Sequence, residues 1–320
     1  MIQSYRTHFM KLCVVVPVYN EQAVLPEFLR RVGVSLQQLE MGPHQLLFVD
    51  DGSTDATLEI LRDAAAHDPR VAVLSLSRNF GHQAAITAAL DHVHADATVI
   101  MDADLQDPPE KIAEFIQKWK EGYDVVYARR IKRKESWWFR LSYFVFYRLL
   151  SALSNVELPI DAGDFGLMSA RVVEEVRKMP EHLRFTRGLR AWVGFRQTAV
   201  PIERSERQAG DSKYTPLRLF RLAADGIFAF SSAPLHVASV LGLIAVCLSS
   251  AFAIYSILAK WLFHHSPQGF TALTVLITFV SGVNLMFLGV IGAYVGRIYE
   301  EVKARPVYII DKKLGALFER

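Results

Sequence analysis

Two acids one residue apart, Asp102 and Asp104, followed by Gln106, close an apolar run from Ala97 to Met101. Hard oxygen donors on so short a loop suit Mg²⁺ or Mn²⁺ held jointly with the phosphates of a substrate. The bland role for the same acids is to solvate a turn and start a helix: Asp107, Pro108 and Glu110 have the spacing of a cap, a first helical residue and a capping box. Three more polar clusters close apolar runs in the same way: Pro17-Val18-Tyr19-Asn20-Glu21, Asp50-Asp51-Gly52-Ser53 and Arg78-Asn79-Phe80-Gly81. Singly, Glu21 is a first-turn acid favoured by a helix dipole, and Asp50 and Asp51 are ordinary turn residues. Together they are polar groups delivered to successive strand ends, where open α/β sheets bind ligands.

The elements that must position these groups alternate. Apolar runs at 12–16, 46–49, 71–74, 97–101 and 124–128 read as strands, the first ended by Pro17. Helical periodicity fills 23–34, a stretch towards Ala66 capped by Ser53 or Thr54, 83–92 and 108–120. The alternation predicts an α/β, Rossmann-like, mostly parallel sheet. Downstream, Asp161-Ala162-Gly163-Asp164-Phe165-Gly166 reads as an active-site loop or a plain turn, with Asp164 ahead of Asp161 as the functional acid. Residues 179–208 are basic, and 204–214 read as a mobile polar loop whose Lys213 can close over a diphosphate as a point charge.

Composition excludes several classes. Lys+Arg number 36 against Asp+Glu 33, a balance that gives no reason to expect nucleic acid. Cys13 and Cys247 offer neither metal spacing nor a disulfide framework. No Gly-x-Gly-x-x-Gly follows the first strand, and no Gly-Lys-Ser/Thr loop occurs, which argues against a dinucleotide oxidoreductase and a P-loop NTPase. No apolar signal core precedes Lys11.

Hydrophobic residues make up 51% of the chain, and the excess gathers near the C-terminus. No formal charge falls between Asp225 and Lys260, or between Lys260 and Arg297. Each run is long enough to span a bilayer, so membrane helices are expected near 234–259 and 270–295, joined by a hairpin at 260–268. Arg218 and Arg221 before the pair, and Arg297, Lys303 and Arg305 after it, place both flanks on the cytoplasmic side. Trp137 to Leu150 is aromatic, with Arg140 and Arg148 on one helical face, and suits the headgroup region of a bilayer. Arg129 and Arg130, just after the last strand before it, would continue a basic path from the membrane surface, with Arg140, to receive a phosphate on a lipid tail. The run 307–310 reads as a further strand in the tail.

The four strand-end motifs, taken in order as Pro17-Val18-Tyr19-Asn20-Glu21, Asp50-Asp51-Gly52-Ser53-Thr54-Asp55, Ser77-Arg78-Asn79-Phe80-Gly81 and Asp102 to Glu110, resemble the family-two glycosyltransferases of GT-A fold. Gly210 to Tyr214 and Gly292 to Arg297 extend the likeness over nearly the whole chain, to the polyprenyl-phosphate glycosyltransferases: bactoprenol glucosyltransferases and dolichol-phosphate mannose synthases. The resemblance implies that Asp102, Asp104 and Gln106 hold Mg²⁺ or Mn²⁺. It implies that Pro17, Tyr19, Glu21, Asp50, Asp51, Arg78, Gly81, Asp102 and Ala103 meet a nucleotide sugar, and that Asp164, Asp161 and Lys213 serve catalysis. It further implies a homo-oligomer, a tetramer, in the inner membrane.

The expected organisation is an extension at 1–10, a cytoplasmic catalytic domain at 11–230 with interface helices near 137–153 and 215–231, a transmembrane hairpin at 231–297 and a cytoplasmic tail at 298–320. The expected reaction is inverting transfer from a nucleotide sugar, UDP-glucose first, to a membrane polyprenyl phosphate. Other donors (UDP-4-amino-arabinose, UDP-N-acetylglucosamine, GDP-mannose) stay open, as does a non-catalytic membrane-anchored scaffold. An anionic phosphate needs no strong base to attack a sugar, so Asp164 is open to two roles: taking a proton, or orienting the acceptor or supporting a cation.

Overall fold

The structure, a computed structural model, describes residues 10–39, 42–130, 162–182, 184–203, 233–263 and 269–318. These fall into two compact units, one built from the described parts of 10–130, 162–203 and 305–318, the other from those of 233–304.

The first unit is an eight-stranded sheet. Strands β1 (Leu12–Val18), β2 (His44–Asp50), β3 (Val71–Leu76), β4 (Ala97–Ile100), β5 (Val125–Arg130), β6 (Ala162–Ser169), β7 (Gln197–Ile202) and β8 (Ile310–Leu314) lie in the order β7-β5-β6-β4-β1-β2-β3-β8. β1 pairs in parallel with β2 and β4, β2 with β3, and β5 with β7. β6 runs against β4 and β5, and β8 against β3, so the sheet is mixed, with six of its eight strands running the same way.

Because strand side chains alternate, β1 feeds two cores. Leu12, Val14 and Val16 pack with Phe28 of α1 (Leu25–Gln37), Leu61 of α2 (Thr57–His67) and Phe115 of α4 (Ile112–Lys120). Cys13 and Val15 pack on the other face with Ile86 of α3 (His82–His92), Val172 of α5 (Ala170–Lys178) and Leu189 of α6 (Thr186–Trp192). Helices cover both faces, which is why the central strands read as unbroken apolar runs.

Several local expectations change. β1 continues through Pro17 to Val18. Pairing with β4 ends at Val15, and alternation turns the Pro17 nitrogen to that vacated side, where no ladder donor is needed. The first helix starts later than expected, at Leu25. Neither Ser53 nor Thr54 caps α2; the Asp55 carboxylate accepts the Thr57 N–H at 3.0 Å instead. After β4 the chain makes a 3-10 turn over Pro109–Lys111 before α4, with no side-chain cap at its start, and Glu110 pairs with Arg31. Residues 162–166, expected as a loop, lie in β6, and the basic stretch after 179 holds α6 and β7. The tail strand is Ile310–Leu314 rather than 307–310.

The second unit holds two long helices, α7 (Ala233–Phe263) and α8 (Phe270–Val302). Among the described residues, one segment is long and apolar enough to cross a membrane, Phe279–Val302, with mean hydropathy 1.7 and none of it buried. α7 contains a shorter apolar stretch, Val240–Phe252. Both helices overrun the spans expected at 234–259 and 270–295, α7 into the expected hairpin loop. The expected interface helices near 137–153 and 215–231 lie outside the described residues.

Candidate active site

The parallel strands β1 to β5 all deliver their carboxyl ends to one edge, and antiparallel β6 brings its amino end there. The edge is built by loops that hold one another. Asn20, at φ 55, sits in the left-handed region that asparagine tolerates. Its N–H donates to Ser53 Oγ at 3.0 Å, and its Oδ1 accepts the Thr54 N–H at 2.8 Å. The Glu21 N–H donates to Thr57 Oγ1 at 2.9 Å. Ser53 and Thr54, expected as helix caps, therefore join the first strand-end loop to the second.

Asp50 and Asp51 organise this edge from below. Asp50 is buried, and its carboxylate accepts the Ser53 N–H at 3.1 Å and the Ser75 hydroxyl at 3.2 Å. Asp51, also buried, accepts the Phe80 N–H at 2.7 Å with one oxygen and the Gly81 N–H at 2.9 Å with the other. Burial pushes the Asp51 carboxyl up, against the pull of those two N–H groups. Gly52 lets the second and third loops touch: a Cβ there, at φ +69, would lie 2.4 Å from the carbonyl carbon of Arg78. Arg78 itself is exposed, its guanidinium 4.1 Å from the centre of the Phe80 ring, and Tyr19 on the β1 loop is exposed as well. Pro17 is buried inside β1.

The β4 loop alternates in burial: Ala103 and Leu105 point inward, Asp102, Asp104 and Gln106 are half-buried. Asp104 Oδ1 accepts the Gln106 N–H at 3.1 Å, closing a tight turn. Leu105 holds φ 57, a conformation that costs a bulky residue about 1–2 kcal/mol. Its side chain is 2% exposed, and burying a leucine contributes about 1.5–3 kcal/mol, enough to offset that strain. The buried leucine thus presents Asp104 and Gln106 on either side of itself.

β6 adds a carboxylate from the far side of β4. Phe165 packs into the α4 face, 4.8 Å from the Phe115 ring centre, so alternation turns Asp164 towards the α3 and α6 face. There Arg187 grips it with a fork, Nε to Oδ1 and Nη2 to Oδ2, both at 2.8 Å. His82, the first residue of α3, places Nε2 3.4 Å from Asp164 Oδ2 and 3.7 Å from Asp102 Oδ1. Burial pushes the Asp164 carboxyl up, but the Arg187 fork and His82 outweigh it and hold the group well below the usual carboxylate range. Burial likewise pushes His82 down, and the two carboxylates more than reverse it. Arg190 is buried beneath, donating to the Gly163 carbonyl at 3.2 Å and lying over the Tyr127 ring, and burial lowers its pKa to about 10. Asp164 is thus a buried carboxylate flanked by Arg187 and His82.

His82 was not singled out from the sequence, and Arg187 only as part of the basic stretch at 179–208. His82 had one signal, its place directly after the Arg78 to Gly81 motif; Arg187 had none that links it to Asp164. Arg129 and Arg130 are the last two residues of β5 rather than the start of a loop, and Arg129 is exposed at this edge. Asp161, Lys213 and Arg140, and the side chain of Arg130, lie outside the described residues.

Among the described residues, no group of three or more His, Cys, Asp or Glu is arranged to hold a metal. Asp102, Asp104 and Gln106 nevertheless fit Mg²⁺ or Mn²⁺, because such ions keep several waters and take one or two carboxylates together with substrate phosphates. A closed protein cage is not what that chemistry requires.

Residues 13–177 match glycosyl transferase family 2. The chain is 46% identical over 303 residues to the uncharacterized glycosyltransferase YkcC of Bacillus subtilis, covering 94% of each. It is 40% identical over 311 residues to the bactoprenol glucosyl transferase of Shigella phage SfII, covering 95% of this chain and 98% of that one. Among solved structures, glucosyl-3-phosphoglycerate synthase of Mycobacterium tuberculosis, in complex with Mn²⁺, UDP-glucose and phosphoglyceric acid, aligns at 20% identity with a TM-score of 0.48, over 68% of this chain and 78% of that one.

Proposed function

The chain belongs to glycosyl transferase family 2 and is a glycosyltransferase, and we propose that it moves a sugar from a nucleotide sugar to the phosphate of a membrane polyprenyl phosphate. The observation that carries the proposal is that one chain joins a strand-end carboxylate site to a long helix segment, Phe279–Val302, that is apolar and unburied. A site for a water-soluble donor on a membrane-anchored chain suits an acceptor that stays in the bilayer. The likeness to a bactoprenol glucosyl transferase over 95% of this chain, both units included, supports polyprenyl phosphate as that acceptor and glucose as the sugar moved.

The site's electrostatics favour such an acceptor. A carboxylate held ionised by Arg187 takes a proton poorly at neutral pH, so Asp164 is unsuited to activating a sugar hydroxyl. A phosphate monoester is already nucleophilic. Its oxygen attacks the anomeric carbon, the bond to the nucleoside diphosphate breaks, and the configuration inverts. Asp102, Asp104 and Gln106 would hold the divalent ion, whose charge offsets that growing on the leaving diphosphate. The β1, β2 and β3 loops, with Tyr19, Glu21 and Arg78, would hold the nucleotide. Asp50 and Asp51 would act there by fixing the loops. Asp161 and Lys213 remain candidates for acceptor and diphosphate contacts, and Arg129, Arg130 and Arg140 for the path to the membrane.

The rest of the proposal is topological. α7 and α8 form a hairpin of two spans, with the catalytic unit and both termini in the cytoplasm, and copies of the chain associate. The test offers the purified full-length chain a panel of nucleotide sugars with undecaprenyl phosphate and Mg²⁺ or Mn²⁺. One donor should give a polyprenyl-phosphate sugar, and chelation should stop it. Efficient transfer to a water-soluble glycan, with none to polyprenyl phosphate, would overturn the proposal.

A further inference from the structure

The C-terminal tail returns to the sheet beside the loops assigned to the nucleotide. Pairing of β2 with β3 ends at Asp50 and Ser75. Beyond that point β3 is paired by β8. Leu76 faces Ile310, and the Ser77 N–H donates to the Ile309 carbonyl at 2.9 Å. A register shift makes this reach possible. Lys312 faces Ser75 but Ile310 faces Leu76, so Asp311 is the extra residue of a bulge. The shift sets the Ile309 carbonyl on the residue that leads into the Arg78 to Gly81 loop.

That loop joins β3 to α3, and the tail grips both. On α3, the Tyr308 hydroxyl donates to Asp91 Oδ2 at 3.0 Å. The Tyr308 and Phe318 rings each meet the His92 ring edge-on, with centres 6.3 and 6.4 Å apart. On β3, Gly315 holds φ +97 and closes on the start of the strand, where a Cβ would lie 2.5 Å from the Val71 carbonyl oxygen. Ile310 and Leu317 pack into the core that holds Leu74, Leu76 and Ala88. At its far end the loop is fixed by Asp51, which accepts the Phe80 and Gly81 N–H groups. Arg78 thus stands between two anchors, the tail carbonyl just before it and the Asp51 carboxylate just after it. Residues 303–307 alone separate Tyr308 from α8. The chain therefore supplies the first anchor only after its long apolar helix.

We propose that the tail is a positioning element for the sugar donor: Ile309, held by Gly315 and Tyr308, sets the loop from which Arg78 meets the nucleotide. The inference rests on the assignment of that loop to the nucleotide and deepens it. A strand from the end of the chain, and not the strand-end motifs alone, completes the donor side of the site.

The test uses the full-length chain in nanodiscs with Gly315→Ala, Tyr308→Phe and a control, Val176→Ala, in the same core but away from the tail. Initial rates are measured against the nucleotide sugar that the wild type uses and, separately, against polyprenyl phosphate. Gly315→Ala should raise the apparent KM for the donor about tenfold, and Tyr308→Phe about threefold, with the acceptor KM within about twofold. Val176→Ala should lower the melting temperature and move neither KM. Tyr308→Phe keeps the ring and loses one hydrogen bond, so it carries the test if Gly315→Ala does not fold. Equal rises in both KM values, or the same donor effect in Val176→Ala, would show that the tail only stabilises the unit and would overturn the inference. No change in either tail variant would overturn it too.

A second arm works without transfer. UDP and GDP, each with Mn²⁺, are titrated into the same proteins by calorimetry, and amide hydrogen exchange is followed over residues 77–81. Weaker nucleotide binding and faster exchange in both tail variants, with neither in Val176→Ala, support the inference. Exchange over 77–81 that ignores the tail variants overturns it. If the wild type binds neither nucleotide yet exchange still answers to the tail, the assignment of the loop to the nucleotide fails while the link from tail to loop stands.

Discussion

Arg187 holds Asp164 through two parallel hydrogen bonds, Nε to Oδ1 and Nη2 to Oδ2, each 2.8 Å long. The two residues come from α6 and β6, so the pair also locks a helix to the sheet edge that carries Asp102. Its energetic value is that of a half-open ion pair: the carboxylate is buried, but solvent screens the exposed side of Arg187.

Asp164→Asn should destabilise the full-length protein at neutral pH by about 1–3 kcal/mol, below the roughly 3–5 kcal/mol of a fully buried pair. The sign with pH follows from a folded-state pKa held below the unfolded value. The stabilisation is present in full above the unfolded carboxyl pKa, about 3.9, and is lost as pH falls from there towards the folded value. Unfolding midpoints of wild type and variant, measured from pH 7 down to pH 2.5, should draw together progressively below about pH 4. A gap that stays constant across that range would show that the ion pair contributes nothing.

Asp102→Ala and Asp104→Ala should each lower turnover by about two or more orders of magnitude and leave the fold in place. Asp104 also closes the turn to Gln106, so its removal should cost about 1 kcal/mol more stability than that of Asp102. Activity beside a denaturation curve reads both. Near-normal turnover in either variant would refute the metal assignment.

Leu105→Ala removes the buried anchor of a strained turn. The expected loss is about 2–4 kcal/mol of stability, with a further fall in activity as Asp104 and Gln106 lose their fixed separation. Leu105→Gly should relieve the φ of 57 and still lose the anchor, so its activity should be no better than that of the alanine variant. Full activity in the glycine variant would show that the backbone conformation alone positions the loop.

Gly52→Ala forces a Cβ to within 2.4 Å of Arg78 backbone, which no side-chain rotation can relieve. The loops after β2 and β3 must part, so the apparent KM for the nucleotide sugar should rise about tenfold while that for polyprenyl phosphate stays near its wild-type value. Steady-state kinetics with each substrate varied in turn will show which half of the site has moved.

A cysteine introduced at position 268 should react with a membrane-impermeant maleimide in spheroplasts, and cysteines at 20 and 320 should not. Cys13, fully buried and with its thiol pushed up to about 12, should stay silent in the native protein. Labelling at 320 from outside would refute the two-span topology.

Much of the edge built by the β1 to β4 loops was legible in the sequence because it is local. An apolar run buried on both faces and ended by polar residues is a strand with a polar loop at its carboxyl end, and β1, β2, β3 and β4 have that form. The Asp102 to Gln106 loop needed no partner to be noticed. On the β6 side the sequence pointed to Asp164 but not to its partners, and β6 shows why. Ala-Gly-Asp-Phe-Gly-Leu-Met-Ser carries two glycines and an aspartate and reads as a turn. It is a strand because β4 and β5 pair with it on both sides, Gly166 meeting Ile100 on one and Tyr127 on the other. Gly166 is there for closeness, since a Cβ would come within 2.6 Å of the Val126 carbonyl oxygen. Asp164 then meets an arginine 23 residues away and a histidine from another helix. Residue type and spacing report what a segment can do alone. Which carboxylate is buried, which cation neutralises it and which stays presented are settled only when the sheet's neighbours are in place, because desolvation and pairing depend on distance in space, not along the chain.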